Sequence, residues 1–313
     1  MITTLTPNPS LDRTLSVDRL DRGGVTRATR VRVECSGKGV NVARALSRNG
    51  HAARAVLPAN DDDARAFVSS LAADGTGACT VGIRGSVRAC LARVEPDGTT
   101  TKVNEPGPEM SMSEAQDLVS AAVDTAADSD WLVASGSLPP GAPADLYTQL
   151  AAALPGADRR LAVDTSGAAL DALVGTPCAL AKPNLAELAN VIGRRLRTVG
   201  EVIEVAEILR RGGWSSVLVS MGQLGAVLVA DEVCYGVAPA TEVRNTVGAG
   251  DALLGGFLSA GGRGPAALAE GLAWARAAVR STDTLGEAVA DHDRRAVQVT
   301  ADPPRDRGVE VFA

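Results

Sequence analysis

Asn245-Thr246-Val247-Gly248-Ala249-Gly250-Asp251 runs directly into Ala252-Leu253-Leu254-Gly255-Gly256-Phe257-Leu258. The second half is apolar on every side, which predicts a buried helix. The first half predicts the loop that starts it. A helix N-terminus carries unpaired backbone N–H groups and the positive end of the macrodipole. With Gly248, Ala249 and Gly250 at that point, no large side chain keeps an anion from the backbone. Asp251 then needs a reason, because a carboxylate is a poor component of an anion cradle. It has one if it takes a proton from an attacking hydroxyl. The competing reading is an ordinary acid in the first turn of a helix.

The chain around this stretch has 313 residues, 45% of them hydrophobic and 22% charged. That is enough for a large core. Only 3% are aromatic and the net charge is −6, so neither a base-stacking surface nor a basic field for a polyanion is expected. A phosphate must instead be held by locally placed cations and backbone N–H groups. Five cysteines (Cys35, Cys79, Cys90, Cys178, Cys234), widely spaced and without a C-x-x-C pair, read as thiols in a reducing compartment. With only His51 and His292 available, neither a zinc site nor a histidine-based nucleophile is expected. No basic leader and no run of about 18 apolar residues is present, which predicts a cytoplasmic protein.

Read in order, the chain alternates. Strands are expected over 2–6, 53–57, 78–83, 131–134, 161–163, 179–181 and 217–219, with a hairpin of 226–229 and 233–237. Helices are expected over 40–49, 61–73, 113–127, 144–154, 167–174, 185–192, 201–211, 249–260 and 266–280. Repeated βα units with continuous apolar strands predict an α/β fold, a mainly parallel sheet covered on both faces. Two stretches behave differently. Arg30-Val31-Arg32-Val33-Glu34 and Arg88-Ala89-Cys90-Leu91-Ala92-Arg93-Val94 have the alternation of strands wet on one face. After a turn at Glu95–Gly98 the second continues into 99–103. They predict a small β lid of residues 11–34 and 87–105, set off from a large domain of 1–10, 35–86 and 106–313. Exposed lid strands predict pairing with a second copy, a homodimer. The tail becomes ordered again only at 309–312.

Ligands in such folds bind beyond the carboxyl ends of the strands, and several clusters lie there. Asn8-Pro9-Ser10-Leu11-Asp12 offers a carboxylate to sugar hydroxyls, or a turn acid after proline. Ser36-Gly37-Lys38-Gly39-Val40-Asn41 offers free backbone, a cation and an amide at the start of a helix. It is neither a P-loop nor a G-x-G-x-x-G turn. Ser135-Gly136-Ser137 presents two hydroxyls to an anion, or makes a tight loop. In Lys182-Pro183-Asn184-Leu185-Ala186-Glu187 the amide and the second acid either orient a hydrated Mg²⁺ or form a capping box. Ser220 and Gly222 are placed to meet a nucleotide.

Together these segments resemble the PfkB-type carbohydrate kinases of the ribokinase-like fold, over nearly the whole length. Asn245–Asp251 looks like that family's C-terminal signature, and 36–41 like its N-terminal glycine signature. Thr6–Asp12, 37–43, Asn104-Glu105-Pro106-Gly107 and 136–141 are similar to its phosphosugar branch. The resemblance implies a three-layer αβα sandwich with a lid, and ATP-dependent phosphorylation of a ketohexose phosphate with Mg²⁺. Fructose 1-phosphate is the expected acceptor, with fructose 6-phosphate and tagatose 6-phosphate as alternatives. It implies Asp251 as base, with Gly248, Ala249 and Gly250 as the anion hole. Asp12, Gly37, Asn41 and Asn104 then contact the sugar, and Lys38, Arg88 and Ser137 its phosphate, with Arg27 reaching in from a partner's lid. Lys182, Asn184, Ser220 and Gly222 fall to ATP, and Glu187 to Mg²⁺ through water. The chain departs from the family at Cys35-Ser36, where Gly-Gly is usual, and a side chain at Ser36 is expected to narrow the sugar site or force a different φ. That departure keeps open a non-catalytic phosphosugar binder on the same fold. A nicotinamide oxidoreductase, also α/β, lacks its G-x-G-x-x-G turn.

Overall fold

The alternation of apolar strands and amphipathic helices is realised almost segment by segment. The computed structural model describes residues 1–96, 99–156, 160–239, 243–281 and 286–309. The expected turn at 95–98 and the ordered tail at 309–312 lie partly outside them. Strands are β1 (Ile2–Leu5), β2 (Ser10–Ser16), β3 (Arg30–Ser36), β4 (Ala53–Ala59), β5 (Gly77–Gly82), β6 (Arg88–Val94), β7 (Thr100–Asn104), β8 (Trp131–Ser135), β9 (Leu161–Asp164), β10 (Leu180–Ala181), β11 (Val217–Ser220), β12 (Ala226–Val229), β13 (Val233–Val237) and β14 (Gln298–Thr300). Helices are α1 (Lys38–Arg48), α2 (Asp61–Ala73), α3 (Met112–Thr125), α4 (Leu146–Ala153), α5 (Ala168–Leu173), α6 (Leu185–Val191), α7 (Val199–Arg211), α8 (Ala249–Ser259), α9 (Gly264–Arg280) and α10 (Asp291–Arg295).

The main sheet has the order β14-β13-β12-β11-β10-β9-β8-β1-β4-β5. From β5 to β11 every pairing is parallel, and β12, β13 and β14 close that edge antiparallel. Successive side chains of a strand point to opposite faces, so each strand feeds two cores. Leu132 and Ala134 join the core beneath α3 to α7, while Trp131 and Val133 join the one beneath α1, α2, α8 and α9. Helices on both faces make the three-layer α/β sandwich expected from the sequence. Helix α3 is a correction: it starts at a Ser111–Glu114 capping box rather than at Ser113. Strand β14 and helix α10 were not expected at all; both are short and polar, with no hydrophobic period to signal them.

Strands β3-β2-β6-β7 form a separate four-stranded sheet. Its register sorts the side chains by face. Ser36, Ser10 and Arg88 lie in one row, and Glu34, Asp12, Cys90 and Asn104 in the next, on the polar face. Val31, Val33, Leu15, Leu91 and Val103 line the other, where Val31, Val33 and Val103 are about half exposed.

Helix α1 is pressed hard against β1. A Cβ on Gly39 would lie 2.5 Å from Thr6 Oγ1 and 2.7 Å from the Leu5 carbonyl oxygen, and the same Thr6 hydroxyl accepts the Val40 N–H at 2.9 Å. Gly39→Ala is therefore expected to lift α1 from the sheet. The loss of stability should be about 1–3 kcal/mol, read as a lower urea midpoint at unchanged m-value.

Candidate active site

The carboxyl ends of β1, β8, β9, β10 and β11 converge with the N-termini of α1 and α8. Gly248 enters α8 with φ 80°, a left-handed conformation that glycine adopts without strain, and no side chain caps the helix. Its first turn is thus available to an anion. Asp251, in that turn, is 7% exposed. Its Oδ2 accepts a 2.9 Å hydrogen bond from Asn41 Nδ2 of α1, and Asn41 Oδ1 accepts one of 3.3 Å from Ser36 Oγ at the end of β3. Ser36 keeps ordinary strand geometry, since none of the described non-glycine residues has a positive φ. The expected backbone change is absent, and the Ser36 hydroxyl is bound to the amide beside the base.

A second layer of charge lies behind this turn. Asp164, the last residue of β9, is 1% exposed. Its oxygens meet Lys38 Nζ at 2.8 Å and Lys182 Nζ at 2.9 Å. Lys182 Nζ also lies 3.5 Å from where a Cβ on Gly250 would be, so a cation stands beside the bare first turn of α8. Lys38 reaches Glu187 as well, at 3.7 Å. Burial opposes the ionised forms of both partners, but the lysines hold Asp164 below the usual carboxylate range, and Asp164 with Glu187 holds Lys38 above the usual lysine range. Asp251 moves the opposite way. Burial and the nearby Asp164 charge push it up to about 7, against the Asn41 hydrogen bond and the two lysines. A carboxyl balanced there suits a general base working near neutral pH.

The other expected residues divide into groups. Asn184 and Glu187 form the capping box of α6: each accepts the other's backbone N–H, at 2.9 and 2.8 Å, while Glu187 Oε1 faces Lys38. Ser220 is bridged to Asn184 across the strand ends, and Gly222 (φ 59°) begins the turn after β11. Ser137 follows Gly136, whose Cβ position is 4.0 Å from the Lys38 side chain. Gly37, at φ 137°, starts α1 in a space closed by Thr6 and Pro9. Asp12 accepts from Ser10 Oγ at 2.6 Å, in the row that includes Asn104. Arg88 donates to the Glu105 and Asn8 carbonyls at 3.2 Å each. Lys38 is thus held in the Asp164 network and Arg88 by the small sheet. Arg27 is exposed in the loop between β2 and β3. Asp164 itself was missed; an acid closing an all-apolar strand in line with Ser135, Lys182 and Ser220 was the available signal.

Residues 8–287 match the pfkB family of carbohydrate kinases. A 1-phosphofructokinase of Rhodobacter capsulatus is 35% identical over 262 residues, covering 83% of each chain. The ATP-dependent 6-phosphofructokinase isozyme 2 of Escherichia coli is 35% identical over 258 residues, covering 81% of this chain and 83% of its own. The crystal structure of Escherichia coli phosphofructokinase-2 in complex with substrates and products superposes with a TM-score of 0.84 at 30% identity, over 94% of this chain and 97% of that one. The matched span takes in both the Ser36–Asn41 turn and the Asp251 helix, and with the shared fold it establishes that the chain belongs to the pfkB family of carbohydrate kinases.

Proposed function

We propose that the chain transfers the γ-phosphoryl group of ATP to the primary C6 hydroxyl of fructose 1-phosphate, giving fructose 1,6-bisphosphate and ADP. One observation carries the reading: a buried carboxylate, held near neutral titration, at the uncapped first turn of α8 with Lys182 beside it. Asp251 takes the hydroxyl proton as the oxygen bonds to phosphorus and the bond to the leaving ADP oxygen breaks. The N–H groups at Gly248, Ala249 and Gly250, the α8 dipole and Lys182 stabilise charge on the group in transit. Asn41 orients the base, and the Asp12 and Asn104 row of the small sheet meets the sugar hydroxyls. Lys38, Arg88 and Ser137, with Arg27 from a partner's lid, meet the phosphate already on the substrate.

Among the described residues no group of three acidic, histidine or cysteine side chains is placed to hold a metal alone. A Mg²⁺ ion brought by the nucleotide fits better, since it keeps most of its water and needs only one or two carboxylates. Glu187, tied at one oxygen and facing the phosphate side with the other, would hold it through water, beside Asn184 and Lys182. When bound, it would neutralise phosphate charge.

Residues 11–34 and 87–105 are proposed to act as a closing lid that excludes water from the reaction. The half-exposed valines on its apolar face support pairing with a second copy. Light scattering at micromolar concentration should give a homodimer; a monomer rejects that part. Five cysteines without a disulfide, and no helix among the described residues long and apolar enough to cross a membrane, are compatible with a cytoplasmic enzyme. Coupled ADP release with Mg·ATP and fructose 1-phosphate, fructose 6-phosphate or tagatose 6-phosphate tests the activity. Fructose 1-phosphate should give the highest kcat/KM. Preference for fructose 6-phosphate would move the chain to the second reading favoured by its 35% identical relative. Binding without ADP release would leave a non-catalytic phosphosugar binder.

A further inference from the structure

On the far side of Asn41 from Asp251, the Ser36 hydroxyl donates to the same amide. Ser36 closes β3 at 4% exposure, and Asn41 and Asp251 are each 7% exposed. The three form a chain across three elements: Ser36 Oγ to Asn41 Oδ1 at 3.3 Å, then Asn41 Nδ2 to Asp251 Oδ2 at 2.9 Å. An asparagine amide has two nearly isosteric orientations that present opposite groups. In one it gives Asp251 a donor; in the other it gives a second acceptor, which an ionised carboxylate repels. A hydroxyl can donate to an amide oxygen or accept from an amide nitrogen, so the Asp251 carboxylate selects the donating orientation of Asn41 and the Ser36 hydroxyl anchors it. We propose that Ser36 is a positioning residue: by donating to Asn41 Oδ1 its hydroxyl pins the amide with Nδ2 directed at Asp251, keeping the base ionised and aimed. The inference rests on the kinase reading above for its consequence on rate, although not for its structural content.

The surroundings of Asp251 make this hydrogen bond matter. The charged groups facing it are Asp164 from β9, which disfavours ionisation, and Lys38 from α1 and Lys182 from the segment after β10, which favour it. Both lysines are already paired with Asp164. Along the rest of α8, helix α9 packs with Gly271 and Trp274, and its Glu270 carboxylate is turned to Arg294 and the Trp274 indole. The Asn41 amide is therefore the principal neutral donor to the base, and whatever orients that amide tunes the base.

Two substitutions separate positioning from packing. Ser36→Ala puts a methyl against Asn41 Oδ1 and leaves no donor there. Ser36→Gly leaves room for a water to replace the hydroxyl. If Ser36 only fills space, glycine is the worse change, because it also loosens the end of β3. If Ser36 positions Asn41, alanine is the worse. We expect Ser36→Ala to shift the acid limb of the kcat/KM–pH profile upward by about one unit. That is roughly a tenfold loss at pH 6 that largely recovers by pH 9, with Ser36→Gly between it and the unsubstituted protein. Titration of Asp251 in protein labelled with ¹³C at the aspartate carboxyls, assigned with Asp251→Asn, should show the same rise without any turnover. An unmoved Asp251 midpoint in Ser36→Ala, or a milder effect of alanine than of glycine, overturns the proposal. If the unsubstituted protein releases no ADP with any phosphosugar, the kinase reading fails and the titration alone decides the role of Ser36.

Discussion

Asp251→Ala is expected to lower kcat by about 10²–10⁴-fold while leaving sugar-phosphate binding largely in place, the size of effect typical for loss of a general base. In the proposed complex the carboxylate meets only the reacting hydroxyl, whereas the small sheet, Gly37 and Asn41 would grip the rest of the substrate. Equilibrium binding and turnover should therefore separate. The base works ionised, so kcat/KM of the unsubstituted protein should rise with pH through about 7, where burial and Asp164 have placed this carboxyl. Stability should run the other way. A carboxyl raised in the folded state costs nothing below its unfolded pKa, and its cost grows as pH rises until the folded pKa is passed. A shift from 3.8 to about 7 corresponds to at most about 4 kcal/mol at pH 8. Asp251→Asn keeps an oxygen for the Asn41 donor and removes the charge. It should thus melt above the unsubstituted protein at pH 8, with the gap closing toward pH 4. Retained turnover in the alanine variant would reject Asp251 as the base. An unchanged melting temperature of the asparagine variant at pH 8 would reject the buried-charge argument.

This antagonism between stability and activity also explains what the sequence revealed and what it hid. The fold was legible because its signals are local: Trp131-Leu132-Val133-Ala134 reads as a buried strand wherever it stands, and the hairpin of 226–229 and 233–237 was read with its structural bounds. Gly248–Asp251 was legible as a helix start with an out-of-place acid. The neighbours that give the acid its chemistry are not local. Asn41 is 210 residues away from it, on another helix, and Asp164 closes a strand of the main sheet; nothing near either residue marks it as a partner of Asp251. Asn184 and Glu187 show the converse limit. Their spacing fits both a capping box and a phosphate-side pair; the structure builds the box and leaves one carboxylate oxygen on Lys38, so the box does not exclude the other reading. Ser36 appeared from sequence to be a steric intrusion, because its hydrogen bond to Asn41, five residues on, forms only when the end of β3 and the first turn of α1 are brought together.

Asp164 should be the most sensitive structural residue of the site. It is the common partner of two lysines, one of them, Lys182, with a side chain only 4% exposed. Breaking a buried ion pair by removing one member costs about 3–5 kcal/mol, because the remaining charge keeps its desolvation penalty and loses its compensation. Asp164→Asn is accordingly expected to lower the melting temperature by about 5–8 °C at pH 7.5. The folded-state pKa of Asp164 is depressed, so the stability it contributes is present above the normal carboxylate range and lost as pH falls through the folded value. The gap between the two proteins should narrow in acid. The effect on catalysis has a definite sign. Neutralising Asp164 removes a negative charge beside Asp251 and releases Lys38 and Lys182 toward it, and both changes favour the ionised base. The acid limb of kcat/KM should move below pH 7, opposite to the shift expected for Ser36→Ala. The plateau at higher pH should fall, because a less basic carboxylate is the weaker proton acceptor and Lys182 is no longer held beside Gly250. Opposite displacements of one titration, by a charge on one side of Asp251 and a hydroxyl on the other, would identify that carboxyl as the group both act on. Displacement in the same direction would mean that the limb belongs to another residue.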